Sequence, residues 1–352
     1  MTPKHEPMTP NDHGTTPEPQ PSNSSPNVDA DPAHFLTVDD LSEADLRAVV
    51  DSARAFERAR ADGESHAVLP GATATMLFEK PSTRTRVSFE TGMTHLGGHA
   101  VFLGPDDTQL DRGEPVSDTA RVLSRYGEFV VARVFDHGTL ETMAEHATVP
   151  VVNALSDFAH PCQALADLLA LRQRFGSEAH GASERTSGGD PRALSDLSVT
   201  WVGDGNNVAA SFVVAAATMG VDVTVATPQG YELPADVLER AAARGPAPEV
   251  VHDPESAVEG ADAVYTDVWV SMGDEDEREE KLTAFEGFQV NADLLARAPD
   301  AAVMHCLPAH RGEEITGDAL ESERSLAWQQ AENRLHVQKA LLAHLGGAEY
   351  SR

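Results

Sequence analysis

The chain has 352 residues, 57 Asp+Glu against 26 Lys+Arg, a formal net charge of -31 and 41% hydrophobic residues, which is room for roughly two domains of ~150 residues with enough apolar material for their cores. So large an excess of carboxylates excludes a sequence-independent nucleic-acid binder, which needs cations to displace counterions, and a binder of anionic membrane surfaces. No apolar run approaches the ~18 residues of a membrane span, no apolar stretch near Met1 reads as a secretory signal, and two cysteines, Cys162 and Cys306, are too few for a disulfide scaffold, so a cytoplasmic enzyme or binding protein is expected.

Residues 1–33 form a tail rich in Pro, Asn, Ser and Thr that cannot bury enough to offset its ordering entropy, and disorder is expected there. Short apolar runs at 72–78, 99–103, 129–135 and 149–154 then read as buried strands, with helical stretches at 83–96 and 116–126. A second series follows. Strands are expected at 198–202, 222–226, 249–252, 263–266 and 301–305, and helices at 208–219, 235–243 and 292–298. Alternation of this kind indicates α/β architecture, two domains with largely parallel sheets. Residues 176–194 read as a polar loop near the boundary, and a last helix at 318–345 can pack back on the first domain.

Five segments carry chemistry. The first is Lys80-Pro81-Ser82-Thr83-Arg84-Thr85-Arg86, between a strand and a helix. A helix N-terminus offers unpaired amides and partial positive charge, and hydroxyls and guanidinium groups add donors for phosphate oxygens. The second is His160-Pro161-Cys162-Gln163, with Pro161 at the first helical position. There an imidazole stays neutral and can hydrogen-bond a carbonyl oxygen, or His160 simply caps the helix. The third, Gly203-Asp204-Gly205-Asn206-Asn207, lacks the last glycine of a dinucleotide fingerprint, so no such cofactor is expected and the asparagines are read as binding an amino acid. The fourth is Asp267 at a strand end, placed for an ammonium, with the acidic run from Asp274 to Glu280 as surface or lid. The fifth is His305-Cys306-Leu307-Pro308-Ala309-His310, whose spacing matches no common zinc pattern and no acyl-transfer triad.

Taken together, Ser82-Thr83-Arg84-Thr85-Arg86, His160-Pro161-Cys162-Gln163, Asp267 with Ser271-Met272-Gly273, and His305-Cys306-Leu307-Pro308 resemble the aspartate/ornithine carbamoyltransferase superfamily, the last two segments its ornithine branch. The resemblance runs from about His34 to Gly346. It implies a carbamoyl-phosphate domain at 34–175, an ornithine domain at 176–318, a final helical segment at 319–352, and two helices joining the domains. It implies transfer of the carbamoyl group of carbamoyl phosphate to the side-chain amine of L-ornithine, giving L-citrulline and phosphate, with no cofactor and no metal. By the same resemblance Ser82, Thr83, Arg84, Thr85 and Arg133 hold the phosphate end, and His160 and Gln163 the carbamoyl group. Pro161, Cys162, Arg334 and the carbonyls of Cys306 and Leu307 complete that site, to which Gln109 is lent by a neighbouring subunit. Asn207, Asp267, Ser271 and Met272 bind ornithine, and Cys306, Asp267, Arg133 and His160 serve catalysis. A homotrimer or an assembly of trimers is implied. Relatives acting on putrescine or an acylated ornithine are the alternative.

Only four lysines, Lys4, Lys80, Lys281 and Lys339, accompany the carboxylates. Together with the acid this suggests adaptation to concentrated salt, where charge repulsion is screened within a few ångströms, and it makes Arg84, Arg86 and Arg133 a cationic pocket in an acidic coat.

Overall fold

The computed structural model describes residues 33–108, 110, 113–176, 192–271, 275–348 and 350. The expected disordered tail, most of the polar loop, Gln109, Met272 and Gly273 lie outside them.

The first half runs α1 (Glu43–Ala61), β1 (Thr73–Phe78), α2 (Thr83–His95), β2 (His99–Leu103), α3 (Val116–Leu123), β3 (Phe129–Arg133), α4 (His137–His146), β4 (Val151–Leu155) and α5 (Pro161–Phe175). The second runs β5 (Ser198–Val202), α6 (Asn207–Thr218), β6 (Asp222–Ala226), α7 (Ala235–Ala242), β7 (Glu249–Val251), α8 (Pro254–Ala257) and β8 (Ala263–Thr266). It continues with α9 (Arg278–Ala284), α10 (Ala292–Leu295), β9 (Ala302–His305), α11 (Gly317–Leu320) and α12 (Ala327–Leu345). Every strand pair is parallel, in the orders β2-β1-β3-β4 and β7-β6-β5-β8-β9.

Both orders reverse beside the first strand of their sheet: β1 has β2 on one side and β3 on the other, and β5 has β6 and β8. The loops leaving the two middle strands therefore diverge, opening a crevice at each carboxyl edge where ligands bind in open parallel sheets. Register fixes which residues meet there. Phe78 pairs with Arg133, the last residue of β3, and Trp201 pairs with Tyr265 near the end of β8.

α5 and α12 join the two halves. α5 follows β4 and packs on α6, while α12 packs on α1, α2 and α5 and touches β9. One hydrophobic core runs from Met76 and Val131 through Leu165, Leu168 and Leu341 to Phe212 and Trp201, so both sheets share an interior. α6 is buried along almost its whole surface, which its Ala- and Val-rich sequence suits, while the hydroxyls of Ser211 and Thr218 are satisfied by carbonyls one turn back.

Several expectations need correction. α1 carries apolar residues at Leu46, Val49, Val50, Ala53 and Phe56 behind a Ser42 cap. That is an amphipathic stripe of the helical period, yet it stands outside the expected elements because its many arginines and acids hide it. The last helix does not begin near 318. Ser325 bridges to Val303, and Arg324 donates to the carbonyls of Ala298, Pro299 and Ala301, so this stretch covers the β9 edge before α12 starts. Element ends also differ: the third helix of the second series stops at Leu295 instead of 298, the helix expected at 116–126 stops at Leu123, and the strands expected at 129–135 and 149–154 run Phe129–Arg133 and Val151–Leu155. Among the described residues no helix is long and apolar enough to cross a membrane.

Candidate active site

The carboxyl edges of the two sheets border one cavity of about 820 Å³. From the first sheet it is lined by residues 80–85, Arg133, Leu155 to Asp157 and His160; from the second by residues 204–208, Asp267, Ser271 and residues 306–308; and α12 contributes Arg334.

One end is cationic. Ser82 caps α2, its hydroxyl accepting from the Thr85 amide at 3.4 Å and donating to the Thr85 hydroxyl at 2.9 Å. The Thr85 hydroxyl also accepts from Arg334 Nη2 at 3.0 Å. Arg84 stands exposed at the rim, whereas Arg133 and Arg334 are buried, each with its Nε unpartnered. Among the described residues none of these three guanidinium groups forms an ion pair with a carboxylate. Burial, then its neighbours Arg334 and Arg84, pulls Arg133 down to about 10, and burial likewise lowers Arg334. Three cations held this close repel one another, and an anion among them removes the penalty. Arg86 departs from expectation: it lies over the Phe102 ring at 3.8 Å and pairs with Glu90, outside the cavity.

His160 precedes Pro161, the first residue of α5, and its side chain makes no capping bond. The simple-cap reading therefore fails. Arg334 Nη1 donates to His160 Nε2 at 3.3 Å. A guanidinium only donates, so Nε2 is the acceptor and the ring proton sits on Nδ1, which has no protein partner. Burial first, then Arg334, Arg133 and Arg84, holds His160 well below its ordinary value. It is thus a neutral imidazole with an unused donor, as expected from the sequence.

Gln163 does not line the cavity. Its Oε1 accepts from Arg334 at 2.9 Å and its Nε2 donates to Asp167 at 2.7 Å, so it braces the guanidinium from behind. Cys162 is wholly buried in the core, its thiol 3.5 Å from the Asn153 carbonyl and pushed up to about 12 by burial. Neither Cys162 nor Pro161 lines the cavity.

The other end carries Asp267 and Cys306. The thiol donates to Asp267 Oδ1 at 2.9 Å, and Asn206 Nδ2 donates to Oδ2 at 3.0 Å. Burial, reinforced by Asp267, raises the Cys306 thiol well above its ordinary range, which keeps it protonated and no nucleophile. Asn206 also caps α6, accepting from the amides of Val208 and Ala209 at 3.0 Å. Asn207 gives its amide to the Ser156 carbonyl at 2.6 Å, a bond between the two halves of the chain. Leu307 has φ +59, a left-handed conformation rare for a branched residue, and its amide donates to His305 Nδ1 at 2.9 Å. His305 Nε2 lies 3.0 Å from Glu314 Oε1, so both ring nitrogens are engaged. Asp267, His305 and Cys306 bring their ligand atoms within 4.8 Å of one another, as do His310, Glu313 and Glu314.

The sequence reading passes over Asn206 as the partner of Asp267, and over Lys80, Asp157, Arg278 and His310 as lining residues. Lys80 had a signal: it is one of the chain's four lysines, and it opens the phosphate motif. For the others the contact exists only after folding.

Two parallel α/β halves facing one cavity, cationic at one end and bearing a carboxylate and a thiol at the other, define a two-substrate enzyme that brings an anionic donor against an amine. Models of the aspartate/ornithine carbamoyltransferase carbamoyl-phosphate-binding domain and of its aspartate/ornithine-binding domain match residues 33–173 and 195–345. The chain is 55% identical to an ornithine carbamoyltransferase of Haloquadratum walsbyi, over 89% of this chain and 97% of that one. To the anabolic enzyme of Pyrococcus furiosus it is 49% identical, over 90% and 97% of the two chains. The solved Pyrococcus furiosus structure superposes with a TM-score of 0.80 at 48% identity, covering 90% of this chain and 98% of that one; the Thermus thermophilus structure gives 0.77 at 44%, covering 89% and 99%. The chain belongs to the aspartate/ornithine carbamoyltransferase family.

Proposed function

We propose that the chain transfers the carbamoyl group of carbamoyl phosphate to the side-chain amine of L-ornithine, releasing L-citrulline and phosphate. The observation that carries this reading is the polarity of the cavity, with three guanidinium groups that have no ion-pair partner among the described residues at one end and Asp267–Cys306 at the other.

Ser82, Thr83, Arg84, Thr85, Arg133 and Arg334 receive the phosphate. His160, neutral with Nδ1–H unused, donates to the carbamoyl oxygen, and the carbonyls of Cys306 and Leu307 accept from the carbamoyl amide. Asn207, Asp267, Ser271 and Met272 take ornithine, and Gln109 of a neighbouring copy completes the phosphate site. A free alkyl ammonium has a pKa near ~10.4, so the incoming amine must shed a proton. Desolvation in the cleft favours that, and the Asp267–Cys306 pair receives the ammonium, the amine proton moving to the Cys306 sulfur as the thiol proton moves to the Asp267 carboxylate. The amine then attacks the carbamoyl carbon while Arg84, Arg133 and His160 take up charge on the carbonyl oxygen and the leaving phosphate. The remaining rate gain comes from holding two substrates between two sheets.

The same reading assigns residues 34–175 to carbamoyl phosphate, 176–318 to ornithine and 319–352 to a helical segment returning to the first. It makes the chain a cytoplasmic homotrimer, or an assembly of trimers, active in concentrated salt. Support for assembly comes from the β2 edge, where Val101 is exposed, and from exposed Val87 on α2, since an uncovered apolar sheet edge invites pairing.

The deciding experiment is citrulline formation by the purified chain in molar salt, with ornithine, putrescine and N-acetylornithine offered in parallel. Ornithine alone should be carbamoylated. Turnover of putrescine or acetylornithine in its place would transfer the reading to another acceptor.

A further inference from the structure

Asp167, on α5, is wholly buried and has no ion-pair partner among the described residues. Its Oδ1 accepts from Gln163 Nε2 at 2.7 Å and from Gln330 Nε2 at 2.8 Å, and its Oδ2 accepts from the Tyr265 hydroxyl at 2.9 Å. The three donors come from α5, α12 and β8, so the carboxylate sits where the linking helices meet the second sheet. Burial pushes it up to about 6, against those three bonds and the Arg334 charge, which pull it down.

Each glutamine uses its other end on the site. Gln163 Oε1 accepts from Arg334 Nη1 at 2.9 Å, and Arg334 in turn reaches Thr85 and His160. Gln330 Oε1 accepts from the backbone amide of His305 at 2.9 Å, one residue before Cys306. A primary amide fits either way round until something distinguishes its ends. A carboxylate only accepts, so it must face both amide nitrogens, and both oxygens are then turned outward. A flipped Gln163 would aim its NH2 at a guanidinium, and a flipped Gln330 would aim its own at a backbone N–H. Either leaves a buried donor facing a donor, an expensive arrangement.

We propose that Asp167 is a positioning residue for the transfer reaction: by fixing the orientation of Gln163 and Gln330 it holds Arg334 at the anion end and the Cys306 strand end at the amine end in register from one buried point. This rests on the carbamoyl-transfer reading for its assay.

The test compares full-length Asp167→Leu and Asp167→Asn with the wild-type chain. Inorganic phosphate affinity is read by calorimetry and kcat by citrulline formation. Asparagine keeps one oxygen for both glutamines and can give its NH2 to the Tyr265 hydroxyl, whereas leucine keeps only volume. Leucine should weaken phosphate binding at least about tenfold and lower kcat at least about 100-fold, while asparagine stays within about fivefold of wild type on both. A leucine variant within about threefold of wild type, or an asparagine variant as impaired as leucine, would overturn the proposal. Should the leucine variant not fold, single variants separate the two arms. Gln163→Met should loosen phosphate about tenfold, and Gln330→Met should keep phosphate affinity within about twofold yet lower kcat about tenfold. Equal effects of the two on phosphate affinity would also overturn it. A wild-type chain that binds phosphate but makes no citrulline would instead unseat the assigned activity, leaving the phosphate measurements to judge Asp167.

Discussion

Cys306 and Asp267 form the contact at the end of the cavity proposed for the amine. The thiol is a hydrogen-bond donor to Asp267 Oδ1, and burial together with that carboxylate keeps it protonated. Nucleophilic catalysis through Cys306 is therefore disfavoured, since the thiolate is the reactive form. Serine can make the same bond but resists proton exchange more strongly, so Cys306→Ser should lower kcat at least about tenfold with little change in melting temperature. Steady-state rates beside a thermal melt check this, and an unaltered kcat would remove Cys306 from the proton path. His160 illustrates how a single residue acquires its role from neighbours. Burial first, then the charges of Arg334, Arg133 and Arg84, keeps it neutral, and Arg334, from 174 residues further along, also fixes which nitrogen carries the proton.

At the scale of elements, the start of α6 performs two tasks with one side chain. Asn206 Oδ1 caps the helix, and its Nδ2 holds Asp267. Loss of a cap costs about 1 kcal/mol, and aspartate caps as well as asparagine, so the tasks can be separated. Asn206→Asp should melt within a few degrees of wild type yet lose turnover, because a second carboxylate then faces Asp267. Ornithine saturation curves, read beside melting curves, test it; retained turnover would mean that Asp267 needs no partner. Most of the elements were legible from apolar periodicity: β1, β2, β5, β6 and β8 fall within one residue of expectation. Misjudged bounds occur where tertiary contacts override local pattern. The stretch before α12 is a run of turns with one bridge, Ser325 to Val303, because the β9 edge offers it hydrogen bonds, a reward invisible to a helical window.

At the scale of the molecule, charge and site oppose each other. The tail before Ala33 contributes five carboxylates against Lys4, so most of the -31 belongs to the folded body that must admit an anion. Exposed arginines such as Arg47, Arg121 and Arg311 are held by nearby acids, and of the cations lining the cavity Arg278 pairs with Glu313 and Lys80 lies over the Phe135 ring, whereas Arg84, Arg133 and Arg334 have no carboxylate partner among the described residues. At low ionic strength the global field opposes carbamoyl phosphate, and salt screens that field far more than it screens a buried contact. The KM for carbamoyl phosphate should therefore fall, and the melting temperature rise, between dilute buffer and molar potassium chloride. Full activity and stability in dilute buffer would refute adaptation to salt.

By itself the sequence determined the α/β class, the succession of strands and the short segments that bear chemistry, because side-chain period, turn residues and helix starts are local properties. It also placed Arg84, His160, Asp267 and Cys306 at strand ends and helix starts. Only the tertiary structure decided which of those groups meet. Parallel pairing reverses direction at β1 and β5, so segments far apart in the chain share one cavity. It also turned Arg86 and Cys162 away from that cavity, set Gln163 behind Arg334, chose Asn206 to hold Asp267, and buried Asp167 where α5, α12 and β8 converge. Side-chain direction within a motif follows from packing against distant elements, and no local spacing encodes it.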